Sequence, residues 1–138
     1  MSFDAVKDNL VSILARNGYT ESDVTTYEGA PATEYDNTFI IRAISGSMGD
    51  NSETLSDRFY DNQEWEVEIA FSKSSQSDII NRDDVHRKKD TLISAIDKPA
   101  NWQDTVMIQK YKSWKIDELK SYFLLTISIR IMDRYIYT

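Results

Sequence analysis

The chain has 138 residues, the size of one domain, and its 41% hydrophobic and 28% charged content is that of a globular protein, which excludes wholesale disorder. A net charge of −7 argues against a protein built to grip duplex nucleic acid, because that affinity rests on Lys and Arg displacing counterions from phosphates. With no cysteine in the chain, disulfides, thiolate catalysis and cysteine-ligated zinc or iron–sulfur clusters are excluded together.

The opening Met1-Ser2-Phe3-Asp4 has no basic stretch followed by an apolar run, so no secretion signal is expected and synthesis and use in a cytoplasm are. Phe3, Val6, Leu10, Ile13 and Leu14 recur at helical spacing, with Ser2 as N-cap, Asp4 in the first turn, Arg16 in the last and Gly18 as the stop. Tyr19 to Asn37 holds Gly29 and Pro31 among Thr, Glu and Asp, and reads as an irregular connection with room for a short edge strand. Thr38 to Ile44, rich in β-branched residues, is the first clear strand. Ser45 to Arg58 has little to bury apart from Met48 and Leu55, so a mobile surface loop is expected over 45–58.

Trp65, Val67, Ile69 and Phe71 then alternate with Glu64, Glu66, Glu68 and Ala70, the pattern of a strand with one buried face and one wet, acidic face. Ser72 to Ser77 make a polar turn, and Asp78 is placed to cap a helix that runs to about Asp97 and ends before Pro99. On that helix Val85, Leu92 and Ile96 share a face, joined by the stem of Lys89 and flanked by Ile93. Thr105 to Lys115 has strand-like content, but Met107 between Val106 and Ile108 breaks the alternation and leaves its facing open. In the last strand Phe123, Leu125, Ile127, Ile129 and Ile131 lie on one side. Thr126, Ser128 and Arg130 interrupt the other, and the apolar stretch is about half the length of a membrane-spanning helix. The short link Ile116 to Lys120 makes the final two strands a hairpin.

These pieces predict one α+β domain over residues 1–138 in the order α-β-β-α-β-β. Its mostly antiparallel four-stranded sheet has two helices packed on the face that carries Trp65, Val67, Ile69 and Phe71.

Searches for chemistry return no catalytic, cofactor or metal site. His86 is the single histidine, so any histidine-based metal centre or triad has to be built around it. It lies in the cluster Asp83, Asp84, His86 and Asp90, but Arg82, Arg87, Lys88 and Lys89 surround these acids. Solvated pairs such as Asp84 with Lys88 account for them more simply than a metal. Gly46-Ser47-Met48-Gly49-Asp50 has the glycines of a phosphate-cradling turn without the Gly-Lys-Ser or Gly-Lys-Thr that should follow, and Asp50 and Glu53 repel phosphate.

Three tryptophans and eight tyrosines are not interleaved with basic residues as a base-stacking groove requires. Trp65 fits the core. Trp102, Tyr135 and Tyr137 fall outside the core pattern and are candidate subunit-contact anchors, with Met48 and Leu55 of the loop beside them. Glu64, Glu66 and Glu68 are same-face neighbours about 7 Å apart, where like charges in water repel by roughly 0.6 kcal/mol and burial multiplies the repulsion. That row must be wet or neutralised, with Lys110, Lys112 and Arg130 on neighbouring strands as its partners.

The helix ending at Asn17-Gly18-Tyr19, the strand Phe39 to Ile44, the long loop, the strand Glu64-Trp65-Glu66-Val67-Glu68-Ile69, the helix Asp78 to Ile96 and the closing hairpin follow a characteristic order. In that order the chain resembles the tail terminator and tail completion (head-tail joining) proteins of tailed bacteriophages. The likeness spans nearly the whole chain and has no diagnostic motif, so no residue-level site carries over. It implies a non-enzymatic structural protein of the virion tail or neck, assembled in the host cytoplasm. Six subunits would form a ring that caps the tail tube protein and meets the neck or connector protein, with no cofactor and no membrane. DNA would pass through the lumen without specific binding, past Glu64, Glu66 and Glu68 as lumen-facing or solvent-facing acids. A head-tail connector or neck component, a small α+β binding domain outside virions, and an enzyme using only Asp, Glu, Tyr and Lys are the other readings.

Overall fold

The computed structural model describes residues 3–28, 34–48, 58–102 and 108–136. Helix α1 spans Phe3–Arg16 and buries Val6, Leu10, Ile13 and Leu14, the residues its spacing assigns to one face. Its end is set by Gly18, whose φ of +92° suits a residue without Cβ. There the Gly18 N–H donates to the Ala15 carbonyl at 3.1 Å and the Tyr19 N–H to the Leu14 carbonyl at 3.1 Å, satisfying carbonyls that the helix leaves open. Ser2 lies outside the described residues.

Helix α2, Asp78–Asp97, buries Val85, Lys89, Leu92 and Ile96 as the periodicity requires. Its cap differs from expectation: Ser77, in extended geometry, accepts the Ile80 N–H at 3.3 Å, and Asp78 is the first helical residue. There its carboxylate favours the positive helix end without serving as the cap. A single 3-10 turn at Pro99–Asn101 follows.

The sheet has five strands: β1 (Thr20–Glu21), β2 (Thr38–Met48), β3 (Arg58–Ser72), β4 (Ile108–Glu118) and β5 (Tyr122–Ile136), in the spatial order β1-β2-β3-β5-β4. The expected four-stranded sheet is thereby corrected to a mixed five-stranded one. β1 is parallel to β2, and the other pairs are antiparallel. Two residues carry no alternation for a sequence to display. Their pairing comes from the chain running beside β2 as it leaves α1, with the Thr20 N–H on the Asn37 carbonyl and the Ser22 N–H on that of Phe39.

The expected loop 45–58 is also corrected at both ends. Ser45 to Met48 pair with Glu64 to Asp61, and Arg58 pairs with Ile136, so these polar residues belong to the sheet. Residues 49–57 lie outside the described set. Ladder hydrogen bonds rather than burial hold Ser45 to Ser47, which is why hydropathy reads them as loop. The β4–β5 hairpin is present, with β4 running on to Glu118.

One face of the sheet presents Phe39, Trp65, Val67, Ile69, Phe71, Phe123, Leu125, Ile127, Ile129 and Ile131, all buried in one cluster with the apolar faces of both helices. α1 lies on the β1–β2 side and α2 on the β4–β5 side. Among the described residues no helix is long and apolar enough to cross a membrane.

A second, smaller cluster of Tyr27, Ile40, Ala70 and Tyr122, with Val24, Tyr35 and Leu124 against it, sits on the opposite face. The connection after β1 thus crosses one end of the face that carries no helix.

Candidate functional site

The glutamate row occupies the uncovered part of that outer face. In the ladder Glu64 lies opposite Arg130, Glu66 opposite Arg42 and Ser128, and Glu68 opposite Ile40 and Thr126. Lys112 Nζ reaches Glu64 Oε1 at 3.1 Å, Arg130 Nη2 reaches the same oxygen at 3.4 Å, and Arg42 Nη2 crosses diagonally to Glu68 Oε1 at 3.5 Å. The Glu64 and Glu68 side chains keep 29% and 17% of their exposure. Each such pair contributes about 0–1 kcal/mol, so its main effect is to cancel charge. The row is therefore both wet and, at Glu64 and Glu68, neutralised. Lys112 and Arg130 serve as anticipated, and Arg42 was missed.

Arg42 also donates to the Thr25 carbonyl at 2.8 Å, tying the connection after β1 to the sheet. A cleft of about 490 Å³ opens between them, lined by Tyr27, Arg42, Glu66, Glu68, Tyr122 and Leu124 among others.

Tyr27 anchors this end. It is 1% exposed. The Thr38 hydroxyl donates to the Tyr35 carbonyl at 2.7 Å, so the Tyr27 hydroxyl is the donor in its 2.6 Å bond to Thr38 Oγ1. The Tyr122 hydroxyl in turn donates to the Tyr27 carbonyl at 2.8 Å. Burial raises the Tyr27 hydroxyl above its ordinary 10.0.

A raised folded value means that the contribution of Tyr27 to stability is fully present below pH about 10 and is lost as pH climbs through the folded value. Tyr19, raised by burial and then by Asp36, acts in the same direction. Unfolding free energy followed by urea titration should thus decline above pH 10, and less steeply in Tyr27→Phe. Equal slopes in the two proteins would show that Tyr27 is not the buried acid.

The α2 cluster does not converge on a metal, and among the described residues no group of three or more His, Asp or Glu is placed to hold one. The His86 ring stands edge-on to Trp114 at 5.4 Å, and Lys89 Nζ lies 3.5 Å from His86 Nδ1 and 4.1 Å from the Trp114 ring centre. An ammonium at that nitrogen opposes a second cation there. Lys89 pairs with Asp90 at 3.1 Å, and Asp84 pairs with Arg87 at 2.9 Å instead of with Lys88, which lies over the Phe71 ring at 5.0 Å.

Gly46 lies within β2 opposite Gln63, where a Cβ would sit 2.9 Å from an Asp61 carboxylate oxygen, a setting unsuited to phosphate. Gly49 and Asp50 are outside the described residues.

The candidate contact residues divide. Trp102 is corrected: it is 7% exposed and belongs to the main core cluster, with its indole N–H on the Ile96 carbonyl at 2.8 Å. Met48 ends β2, and Tyr135 sits in β5 opposite Phe59, both placed by their backbone alone. Leu55 and Tyr137 lie outside the described residues.

The large apolar side chains that the fold does leave exposed include Phe3 (51%), Ile44 (54%), Trp114 (40%) and Leu119 (40%). Phe3 stacks on Trp65 at 5.3 Å, and with Ile44, Gly46, Asp61 and Gln63 these residues line a cleft of about 250 Å³. Ile44 is turned out by a bulge between Ala43 and Ser45, and neither its position in an apolar run nor its hydropathy signals exposure.

No protein-family model matches the chain, and no curated protein matches it.

Proposed function

We propose that this chain is a structural piece of a phage-type virion, a tail terminator or tail completion protein that assembles into a ring on the end of the tail tube and meets the neck or connector. The observation that carries the reading is the two-sidedness of the molecule. Both helices cover one face of the sheet, and the other face, beyond the end that the connection after β1 covers, is a wet lattice of paired charges held by Glu64, Glu68, Arg42, Lys112 and Arg130. A ring wall needs such a slab, with a helical layer away from the lumen and a sheet surface that tolerates water and passing DNA.

The central strands add reach. β3 and β5 continue past the Phe3–Trp65 contact to Arg58 and Ile136, a further span of roughly 20 Å at 3.4 Å per residue, available to contact a tube or a neighbouring piece. Neutralisation of Glu64 and Glu68 makes the face one to which DNA does not adhere rather than one that drives DNA away.

Purified protein mixed with tail tubes lacking their cap should appear as a ring on one tube end in averaged electron micrographs. In the same reconstituted particles, Glu64→Gln/Glu66→Gln/Glu68→Gln, which leaves Lys112, Arg130 and Arg42 without carboxylates opposite, should fold and cap but retard DNA ejection. A monomer that binds neither tube ends nor connectors would exclude the virion reading, and normal ejection by the triple variant would exclude a lumen role for the row.

A further inference from the structure

The two edges of the sheet differ in charge. Along the β1–β2 edge, residues 19–28 and 34–47 carry Glu21, Asp23, Glu28, Glu34 and Asp36, all exposed, against Arg42 within these segments and Lys7 of α1, which pairs with Glu21 at 3.0 Å. Arg42 is already held by Glu68 and Thr25. Along the β4 edge, residues 108–120 carry Lys110, Lys112, Lys115 and Lys120, all exposed, against Asp117 and Glu118; Lys112 also pairs with Glu64 at 3.1 Å and Lys115 with Asp117 at 3.6 Å, which leaves a net positive edge. Each edge also holds large apolar side chains in solvent: Phe3 and Ile44 beside β2, Trp114 and Leu119 beside β4.

Both edges are poor templates for adding a strand. β2 bulges at Ile44, and β4 is irregular between Tyr111 and Ser113, where the Tyr111 N–H is already taken by Asp97 Oδ1 at 3.0 Å. What they offer a partner is side chains.

We propose that these edges dock on one another between copies of this chain, the acidic β1–β2 edge with its Phe3–Ile44 ledge receiving the lysines and Trp114 of the next copy's β4 edge. The occupant is a second copy because the two surfaces complement each other in charge, and each carries apolar area. A patch that meets a different patch is a heterologous contact, which propagates head to tail and closes into a ring when the rotation permits. The proposal deepens the ring reading and rests on it for closure, whereas the edge contact itself stands on the charges and exposed side chains.

The two surfaces can be disabled separately at exposed positions. Ile44→Lys sets a cation on the acidic ledge and leaves the β4 edge intact. Lys110→Glu/Lys115→Glu reverses the β4 edge and leaves the ledge intact. Sedimentation velocity and native mass spectrometry should show wild type associating, with affinity falling about tenfold or more as salt rises from 0.1 to 1 M and the screening length shrinks from about 10 Å to about 3 Å. Each variant alone should be monomeric at concentrations where wild type assembles. Mixed, they should form a one-to-one pair and nothing larger, because one live contact remains.

Failure of the mixture to pair while wild type still assembles would overturn the edge assignment and leave the ring reading standing. Assembly of either variant alone to the wild-type state would also overturn it, since a contact of one edge with itself survives the loss of the other edge. A wild type that is monomeric throughout the series would overturn self-docking, and the tube-capping assay would then decide the ring reading by itself.

Discussion

Trp65→Ala is expected to lower the unfolding free energy by about 3–5 kcal/mol, the cost of emptying a large aromatic site in a packed core. Trp65 is 2% exposed at the centre of the sheet's inner face, between Ala43 on β2 and Ile129 on β5. Phe3 stacks on its ring at 5.3 Å, so the substitution also releases the first turn of α1 from the sheet. The indole N–H donates to Gln63 Oε1 at 2.8 Å, and Gln63 Nε2 passes the chain on to Asp61 Oδ2 at 2.9 Å, a line of polar groups that alanine disconnects. Domains of this size have about 5–15 kcal/mol of net stability, so the variant should sit close to its threshold. Urea titration should show a lower midpoint with an unchanged slope, the signature of lost stability without a changed denatured state. A loss below about 1 kcal/mol, the range of a surface substitution, would mean that the ring does not fill the core.

The parts legible in the sequence are those where burial writes a period. α1 and α2 emerge from apolar residues at helical spacing, and β3 and β5 from strict alternation, because each has one face in the core and one in water. Elements held by backbone pairing leave no such trace. β1 is two exposed residues. The polar stretch from Ser45 to Ser47 is a strand because β3 offers it a ladder, not because its side chains bury. Tyr27 was invisible for a related reason. It buries against Ile40, Ala70 and Tyr122, three residues far apart in sequence on a face whose alternation reads as solvent.

The glutamate row shows how much of a surface can be read in advance. Same-face spacing set the repulsion that had to be relieved, and Lys112 and Arg130 relieve it at Glu64. Which cation answers Glu68 depended on a diagonal contact across the β2–β3 ladder, and Arg42, in the middle of an apolar strand, gave no sign of that geometry. The edge chemistry was present in the composition of its segments, five acids and no lysine or arginine between residues 21 and 36 and four lysines between 110 and 120. It acquired meaning only once strand order put β1 and β4 at opposite ends of one sheet.

Trp102→Ala should destabilise the fold by about 3–5 kcal/mol and leave self-association of the surviving folded protein unchanged. Its position just past Pro99, outside every periodic segment, suits a contact anchor, yet the chain folds it back under α2. The 3-10 turn brings the Trp102 N–H onto the Pro99 carbonyl, and the indole N–H then reaches the Ile96 carbonyl at 2.8 Å while Asn101 Nδ2 takes that of Ala95 at 2.7 Å. These are carbonyls of the last turn of α2, which a helix cannot satisfy from within, so Trp102 closes the helix end while its ring joins the core. Trp102→Phe keeps most of the ring and deletes the donor, so it should cost about 1 kcal/mol from the hydrogen bond with a smaller packing loss. Urea titration separates the two variants, and sedimentation on the folded fraction measures association. Unchanged stability with weakened association would return Trp102 to the surface as a contact anchor. A graded loss of stability, alanine far beyond phenylalanine, with association intact is the outcome its burial requires.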